Sequence, residues 1–241
     1  MPTDLPTGPP TEVVLRPADE SDAEGVAAVH LAARRAAAMP PSVHTDAAVG
    51  YWLAGRLAVD EVWVAEAGGE VAGYARLTET WLDDLYVAPH HAGQGLGSTL
   101  LELVKSRRPD GFCLWVFEMN GPARRFYAHR GLVELERTDG AGNEERTPDI
   151  RMAWPGEEPL AFYRRLIDEV DAQLGDLLSR RAALTRAIQP HKSDPAQRDL
   201  AREHAIAEAL ASRAPALGAD RIQRIVHTII TESLDAARDR S

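Results

Sequence analysis

Cysteine is nearly absent from this 241-residue chain. Cys113 stands alone, so neither an internal disulfide nor a thiolate-rich zinc site can form. Positive charge is scarce as well. Lys+Arg number 27 against 37 Asp+Glu, a formal charge of −10. That excludes a non-specific nucleic-acid binder, which must neutralise many phosphates. No stretch reaches the roughly 18 apolar residues of a membrane-spanning helix. The opening MPTDLPTGPPTE is acidic and proline-rich rather than basic and apolar, so it is not a secretory signal. Residues 1–11 are expected to be a disordered leader, and the protein cytoplasmic. What remains is ordinary globular composition, 44% hydrophobic and 27% charged, in a length that suits one large or two small domains.

The pattern changes near Pro155–Pro159. Before it, β-rich runs alternate with helical ones, as in an α/β or α+β domain. Glu61–Ala67 and Glu70–Leu77 flank Gly68-Gly69 and read as a hairpin. Leu82–Val87 and Phe112–Phe117 read as further strands. Val133–Glu136 and Asp149–Trp154 read as a last pair around the loop TDGAGNEERTP. Helices are expected over Asp22–Ala38, capped by Ser21-Asp22, over Gly97–Ser106 and over Gly121–Arg130. After Pro159 the strand signals vanish. Three helices are expected there, at 160–189, 199–213 and 219–238, broken at Pro190–Pro195 and Pro215–Gly218. Such a helical segment is too thin to enclose a good core alone, and dimerisation through its long first helix would remedy this. The expected domains are residues 12–156 and 157–241.

The sharpest local feature runs from Leu85-Tyr86-Val87 through Ala92-Gly93-Gln94-Gly95-Leu96-Gly97-Ser98 into the helical pattern TLLELVKS. A strand, a glycine-spaced turn and a helix start together present unpaired N–H groups and a positive dipole end to an anion. Glycines there let the backbone close around phosphate. The turn has no P-loop lysine, and its spacing departs from GxGxxG. A ligand-free turn is the competing reading.

This stretch resembles the acyl-CoA-binding motif of the GNAT acetyltransferases, Arg/Gln-x-x-Gly-x-Gly/Ala, with Ala92 where the family usually has Arg or Gln. The run Asn120-x-x-Ala123-Arg124-x-Phe126-Tyr127-x-x-x-Gly131-Leu132 resembles the family's later signature. The resemblance implies a GNAT fold with acetyl-CoA as acyl donor. Leu85, Tyr86 and Val87 would pair with pantetheine, and amides around Ala92–Gly97, running on to Ser98, would hold the pyrophosphate. Asn120 would contact the cofactor, and Tyr127 would protonate the leaving thiolate. A Tyr127 that merely packs in the core is the alternative. The acceptor is an unspecified amine, whose proton a base must take. Glu79, Asp83, Asp84 and Glu118 lie near strand ends where such a base would sit.

In the long C-terminal helix, Ile167, Val170, Leu174, Leu177, Leu184 and Ile188 follow alternating steps of 3 and 4 residues. The missing member of the series is Arg181. A guanidinium on an aliphatic seam is costly unless an anion meets it. Lys192, eleven residues on, would return to that face if the helix continued. Asp199, Arg202, Glu203 and Ile206 share a face of the next helix. A buried ion-pair network of Arg181, Arg202, Asp199 and Glu203 is one reading; a small dianionic ligand is the other.

Arg181, Lys192, Arg198-Asp199-x-x-Arg202-Glu203 and Ile229-Ile230-x-x-Ser233 resemble, in order, the all-helical chorismate mutases. The resemblance implies an all-α three-helix domain forming an interlocked homodimer, with Arg164 reaching the partner's site. Arg181 would meet a carboxylate of chorismate, Lys192 the breaking ether oxygen and Glu203 the ring hydroxyl. Asp199, Arg202 and Ser233 would complete the lining, and the reaction to prephenate would need no cofactor. Ala237 stands where the family usually has Gln or Glu, and Pro190 interrupts the helix before Lys192. Two further readings follow. The helical domain would be a dimerisation or chorismate-sensing module, or it would act on a relative such as 4-amino-4-deoxychorismate or isochorismate.

Overall fold

The computed structural model describes residues 12–191 and 198–238. The expected leader and Lys192 lie outside the described residues. The chain divides into two units, Met1–Tyr163 and Arg164–Ser241.

The first unit is built on one seven-stranded sheet of order β1-β2-β3-β4-β5-β7-β6. Its strands are β1 (Val13–Pro17), β2 (Glu61–Ala67), β3 (Glu70–Thr78), β4 (Trp81–Val87), β5 (Phe112–Phe117), β6 (Val133–Arg137) and β7 (Asp149–Trp154). All pairings are antiparallel except β4 with β5. The Gly68-Gly69 hairpin forms as read, both glycines at positive φ. Helices α1 (Ala23–Ala36) and α2 (Asp46–Leu57) cover one face, where Val26, Val29, Val49 and Leu53 pack against Val64 and Tyr74. Helices α3 (Leu96–Arg107) and α4 (Gly121–Ala128) cover the other, where Leu100, Leu101 and Val104 meet Ala75, Leu77 and Leu114. Tyr74 and Ala75 thus point to opposite faces, as the two-residue period of a strand requires. Burial on both faces explains why β3 shows no apolar–polar alternation over Ala72–Leu77, where the one charged residue, Arg76, is buried on Asp84. Gly73 serves this packing, because a Cβ there would meet the Tyr86 carbonyl at 3.0 Å and Leu100 Cδ1 at 3.2 Å.

Two local readings are corrected. Asp19 rather than Ser21 supplies the cap of the first helical turn, and Asp22 completes a capping box by accepting from the Asp19 amide at 2.9 Å while taking two hydrogen bonds from Arg16, at 2.7 and 2.8 Å. Helix α2 has no counterpart among the expected elements. Gly50 and Gly55 blur its apolar period, though the Thr45 hydroxyl caps it at the amide of Ala48.

The second unit is all helical. Helix α5 (Pro159–Ile188) begins in the first unit, and α6 (Leu200–Arg213) and α7 (Ala219–Arg238) complete the second. Ala207, Ile222, Val226 and Ile230 form the core of the α6–α7 pair. The Asp199 carboxylate caps α6, accepting from the Arg202 amide at 2.9 Å. Ile167, Val170, Leu177 and Leu184 of α5 are 57–64% exposed, so its aliphatic row is left open in a single chain. No described helix is long and apolar enough to cross a membrane.

Candidate functional site

Strands β4 and β5 run parallel but are in register only at Trp81↔Cys113. Beyond that pair their ladder is not continued, and a cavity of about 580 Å³ lies along Leu85, Tyr86, Val116, Phe117, Asn120 and Tyr127. A bulge contributes to its shape. Arg76 pairs with Asp84 and Leu77 with Leu82, so Asp83 is the extra residue on β4, which bends the strand and re-aims its side chains. The cavity-side edge of β4 is therefore a backbone edge that an extended ligand can pair with.

At the end of β4 the chain enters the glycine turn. Gly93 (φ 77°) and Gly95 (φ 87°) adopt left-handed backbone, which a side chain would disfavour, and Gly95 is the N-cap of α3. The amides of Ala92, Gln94 and Ser98 are spent on the carbonyls of Pro89, His91 and Gly95. Among the described residues, those of Gly93, Gly95, Leu96 and Gly97 take no backbone carbonyl. The free donors are thus narrower than the whole 92–98 stretch: four amides at a helix start, where anions bind.

Asn120 caps α4, its side-chain oxygen accepting from the Ala123 amide at 3.2 Å, and it is 9% exposed. Tyr127, about two turns further along α4, lines the same cavity. Burial pushes its hydroxyl well above the ordinary range, so it is a protonated donor at neutral pH. Of the four proposed bases, Asp83 and Asp84 line the cavity. Asp84 is held by Arg76 Nε at 2.5 Å. Among the described residues Asp83 accepts only from Thr78 Oγ1 at 2.9 Å, with Arg76 at 3.9 Å, and burial raises its pKa. Glu79 is exposed and away from the cavity, and Glu118 pairs with Arg137 at 2.6 Å. The other wall was not legible in sequence. Arg34 of α1 bonds Glu145 at 2.9 Å, and Asn143 bonds Asp149 at 3.0 Å, all four lining the cavity. These residues come from α1, from the loop between β6 and β7 and from the start of β7, Arg34 lying over a hundred positions before the others.

The helical unit carries a second cavity of about 490 Å³, lined by Arg181, Arg198, Asp199, Arg202, Glu203 and Ile230 among others. Arg181 Nη1 donates to Ser233 Oγ at 2.5 Å and to the Ile229 carbonyl at 3.2 Å. The four-residue ion network is corrected. Glu203 pairs with Arg198, at 2.8 Å from both Nε and Nη2, which holds its pKa below the ordinary carboxylate range. Asp199 is spent as a helix cap, and Arg202 is exposed rather than interior. Neither Arg181 nor Arg202 forms an ion pair among the described residues. Arg198, quoted above without a role, is the group sequence reading missed; it also reaches Thr231 Oγ1 at 3.2 Å. Helix α5 ends at Ile188 before Pro190, as the proline demands. Arg164 is exposed and absent from this cavity. Seventeen residues before Arg181, it sits about 25 Å up the same helix.

Comparison with known proteins places both halves. A family model described as acetyltransferase (GNAT) domain matches residues 58–134, and one described as chorismate mutase type II matches residues 163–238. An uncharacterized N-acetyltransferase of Archaeoglobus fulgidus is 34% identical over 108 residues, covering 39% of this chain and 72% of that protein. The peptidyl-lysine N-acetyltransferase YiaC of Escherichia coli is 32% identical over 102 residues, 41% of this chain and 66% of YiaC. Mycothiol acetyltransferase of Amycolatopsis mediterranei is 32% identical over 184 residues, 69% of this chain and only 58% of that enzyme. Among solved structures, apo YjaB of Escherichia coli matches with a TM-score of 0.51 at 21% identity, over 60% of this chain and 99% of YjaB. A GCN5-related N-acetyltransferase of Rhodopseudomonas palustris matches at 0.50 and 25%, over 59% of this chain and 94% of that one. The chain belongs to the GNAT acetyltransferases and carries, after that domain, a chorismate mutase type II domain.

Proposed function

We propose that residues 12–156 transfer an acetyl group from acetyl-CoA to an amine, and that residues 157–241 rearrange chorismate to prephenate. The observation that carries the first half is the free β4 edge and buried Tyr127 along one cavity, with the free amides of Gly93, Gly95, Leu96 and Gly97 in the turn that follows β4. The thioester lies along β4 with its pyrophosphate on the turn. The amine loses a proton to Asp83, directly or through water, and attacks the carbonyl carbon. As the C–S bond breaks, Tyr127 gives its proton to the departing thiolate. Four carboxylates line the cavity, Asp83, Asp84, Glu145 and Asp149, against one lining guanidinium, Arg34. This balance favours an acceptor that arrives as an ammonium ion.

The mutase reading rests on Arg181 and Arg202, two cations beside one cavity with no carboxylate partner among the described residues. They would hold the two carboxylates of the folded conformer, and Lys192 would meet the negative charge developing on the ether oxygen. Glu203 would take the ring hydroxyl and Ser233 would hold Arg181 in place. The exposed aliphatic row of α5 supports a homodimer in which the partner's α5 brings Arg164 to the site. Ala237, buried at 4% exposure with no polar side chain, favours one second reading: a site that binds chorismate, or the 4-amino or isochorismate relative, and turns it over poorly.

Purified chain with chorismate, followed by loss of its absorbance, tests the mutase; thiol release from acetyl-CoA over a panel of diamines, amino acids and lysyl peptides tests the transferase. Binding of a bicyclic transition-state mimic without turnover would select the sensing module. Sedimentation of Leu177→Glu, expected to be monomeric, tests the dimer.

A further inference from the structure

The glycine turn lacks the cation at Ala92, yet the structure supplies one from elsewhere. We propose that Arg130, two residues beyond α4, is the phosphate-binding cation of the acyl-CoA site. The proposal rests on the acetyl-CoA reading above and names a residue that reading does not use.

Arg130 reaches back to the first turn of α3. Its Nε and Nη2 donate to Ser98 Oγ at 3.1 and 2.5 Å, and its Nη1 donates to the Phe126 carbonyl at 3.0 Å. The guanidinium carbon lies 4.0 Å from the centre of the Phe126 ring, and that ring in turn packs on Gly97, 3.5 Å from where a Cβ would be. The head group is thus fixed beside the turn whose free amides are Gly93, Gly95, Leu96 and Gly97. A guanidinium has five N–H donors. Three are used, leaving one each on Nη1 and Nη2.

Charge points the same way. In a chain of net charge −10, Arg16, Arg34, Arg76, Arg108, Arg124 and Arg137 all have carboxylate partners. Arg130 forms no ion pair among the described residues, although it is part-buried and held at three points. A fixed cation with two spare donors beside unpaired amides matches the two adjacent charges of a pyrophosphate, or the 3′-phosphate of the same cofactor. Ser98 positions it, and Phe126 stacking keeps the plane from swinging away. Loss of the usual residue at position 92 is then compensated from the turn that follows α4.

The test separates phosphate binding from packing. Binding of acetyl-CoA to the full chain by calorimetry, and kcat/KM with acetyl-CoA and with S-acetylpantetheine, which has no phosphate, are compared in wild type and Arg130→Gln. The proposal expects a 10- to 100-fold weaker Kd for acetyl-CoA, the size of a lost charge-assisted hydrogen-bond pair, a shallower salt dependence, and unchanged kcat/KM for S-acetylpantetheine. Arg130→Lys should keep part of the affinity, and Ala92→Arg added to Arg130→Gln should restore it. Equal losses with both donors, or an unchanged Kd, overturn the proposal. Failure of the wild-type chain to bind acetyl-CoA overturns the acetyl-CoA reading itself.

Discussion

Arg181 of α5 donates to the Ser233 hydroxyl of α7 at 2.5 Å, and that hydroxyl donates onward to the Ile229 carbonyl at 2.6 Å. One guanidinium thereby ties the long helix to the last one at the edge of the helical cavity, while its remaining donors stay available. Replacing Arg181 by Ala leaves Ser233 bonded within its own helix. The variant is expected to keep its helical circular dichroism and to lose prephenate formation by about a hundredfold or more. Arg181→Lys should recover little, since a point charge cannot grip a carboxylate bidentately. Unchanged turnover in Arg181→Ala would remove this residue from the site.

Tyr127 gives the matching prediction for acetyl transfer. Tyr127→Phe keeps the packing and deletes the proton donor, so kcat should fall roughly 10- to 100-fold with little change in KM for acetyl-CoA. Because burial holds the hydroxyl protonated far above neutrality, the wild-type rate should show no alkaline decline from this group below about pH 10. A Phe variant of full activity would assign the proton to another donor.

Asp83 links activity to stability. Burial raises its folded pKa above the unfolded value, so the folded state favours its protonated form. Its contribution to stability is therefore present at low pH and lost as pH rises through the folded pKa. The base needs the opposite state. Acetyl transfer should fall as pH drops through that raised pKa, and Asp83→Asn should lower kcat while raising Tm at pH 7. A variant that lost activity and stability together would point to a structural role.

His30 predicts an acid limit for the first unit. Its Nδ1 lies 2.7 Å from Tyr74 Oη and its ring centroid 4.6 Å from that of Tyr86, and burial lowers its pKa. The unfolded chain takes the proton first, so this stability is complete above the ordinary histidine value near 6.5 and is lost as pH falls toward the folded pKa. Thermal unfolding of the whole chain should show a Tm that drops between pH 7 and 5, and His30→Gln should flatten that drop.

Much of the fold was legible because its signals are local. Gly68-Gly69 announced a hairpin that closes as a positive-φ turn, and Pro190 announced the end of α5. The mutase cluster was legible where a charge broke an aliphatic row at Arg181. The alternative network that paired Glu203 with Arg181 and Arg202 does not form: Arg198, five residues before Glu203, takes its carboxylate, while Arg202 beside it in sequence is exposed. The acceptor wall was invisible: Arg34 and Glu145 stand 111 residues apart, and nothing in TDGAGNEERTP marks it as a cavity lining.

Residue order alone, through period, glycine spacing and breakers, indicated the two halves and most of their elements, α2 excepted, since each depends on neighbours a few positions apart. The single register pair between β4 and β5, the bulge at Asp83, the open aliphatic row of α5 and the placement of Arg130 against Ser98 were decided only by tertiary structure. Each of these is settled by long-range packing and by which donor meets which acceptor, and the energy of those meetings depends on three-dimensional distance, which residue order does not contain.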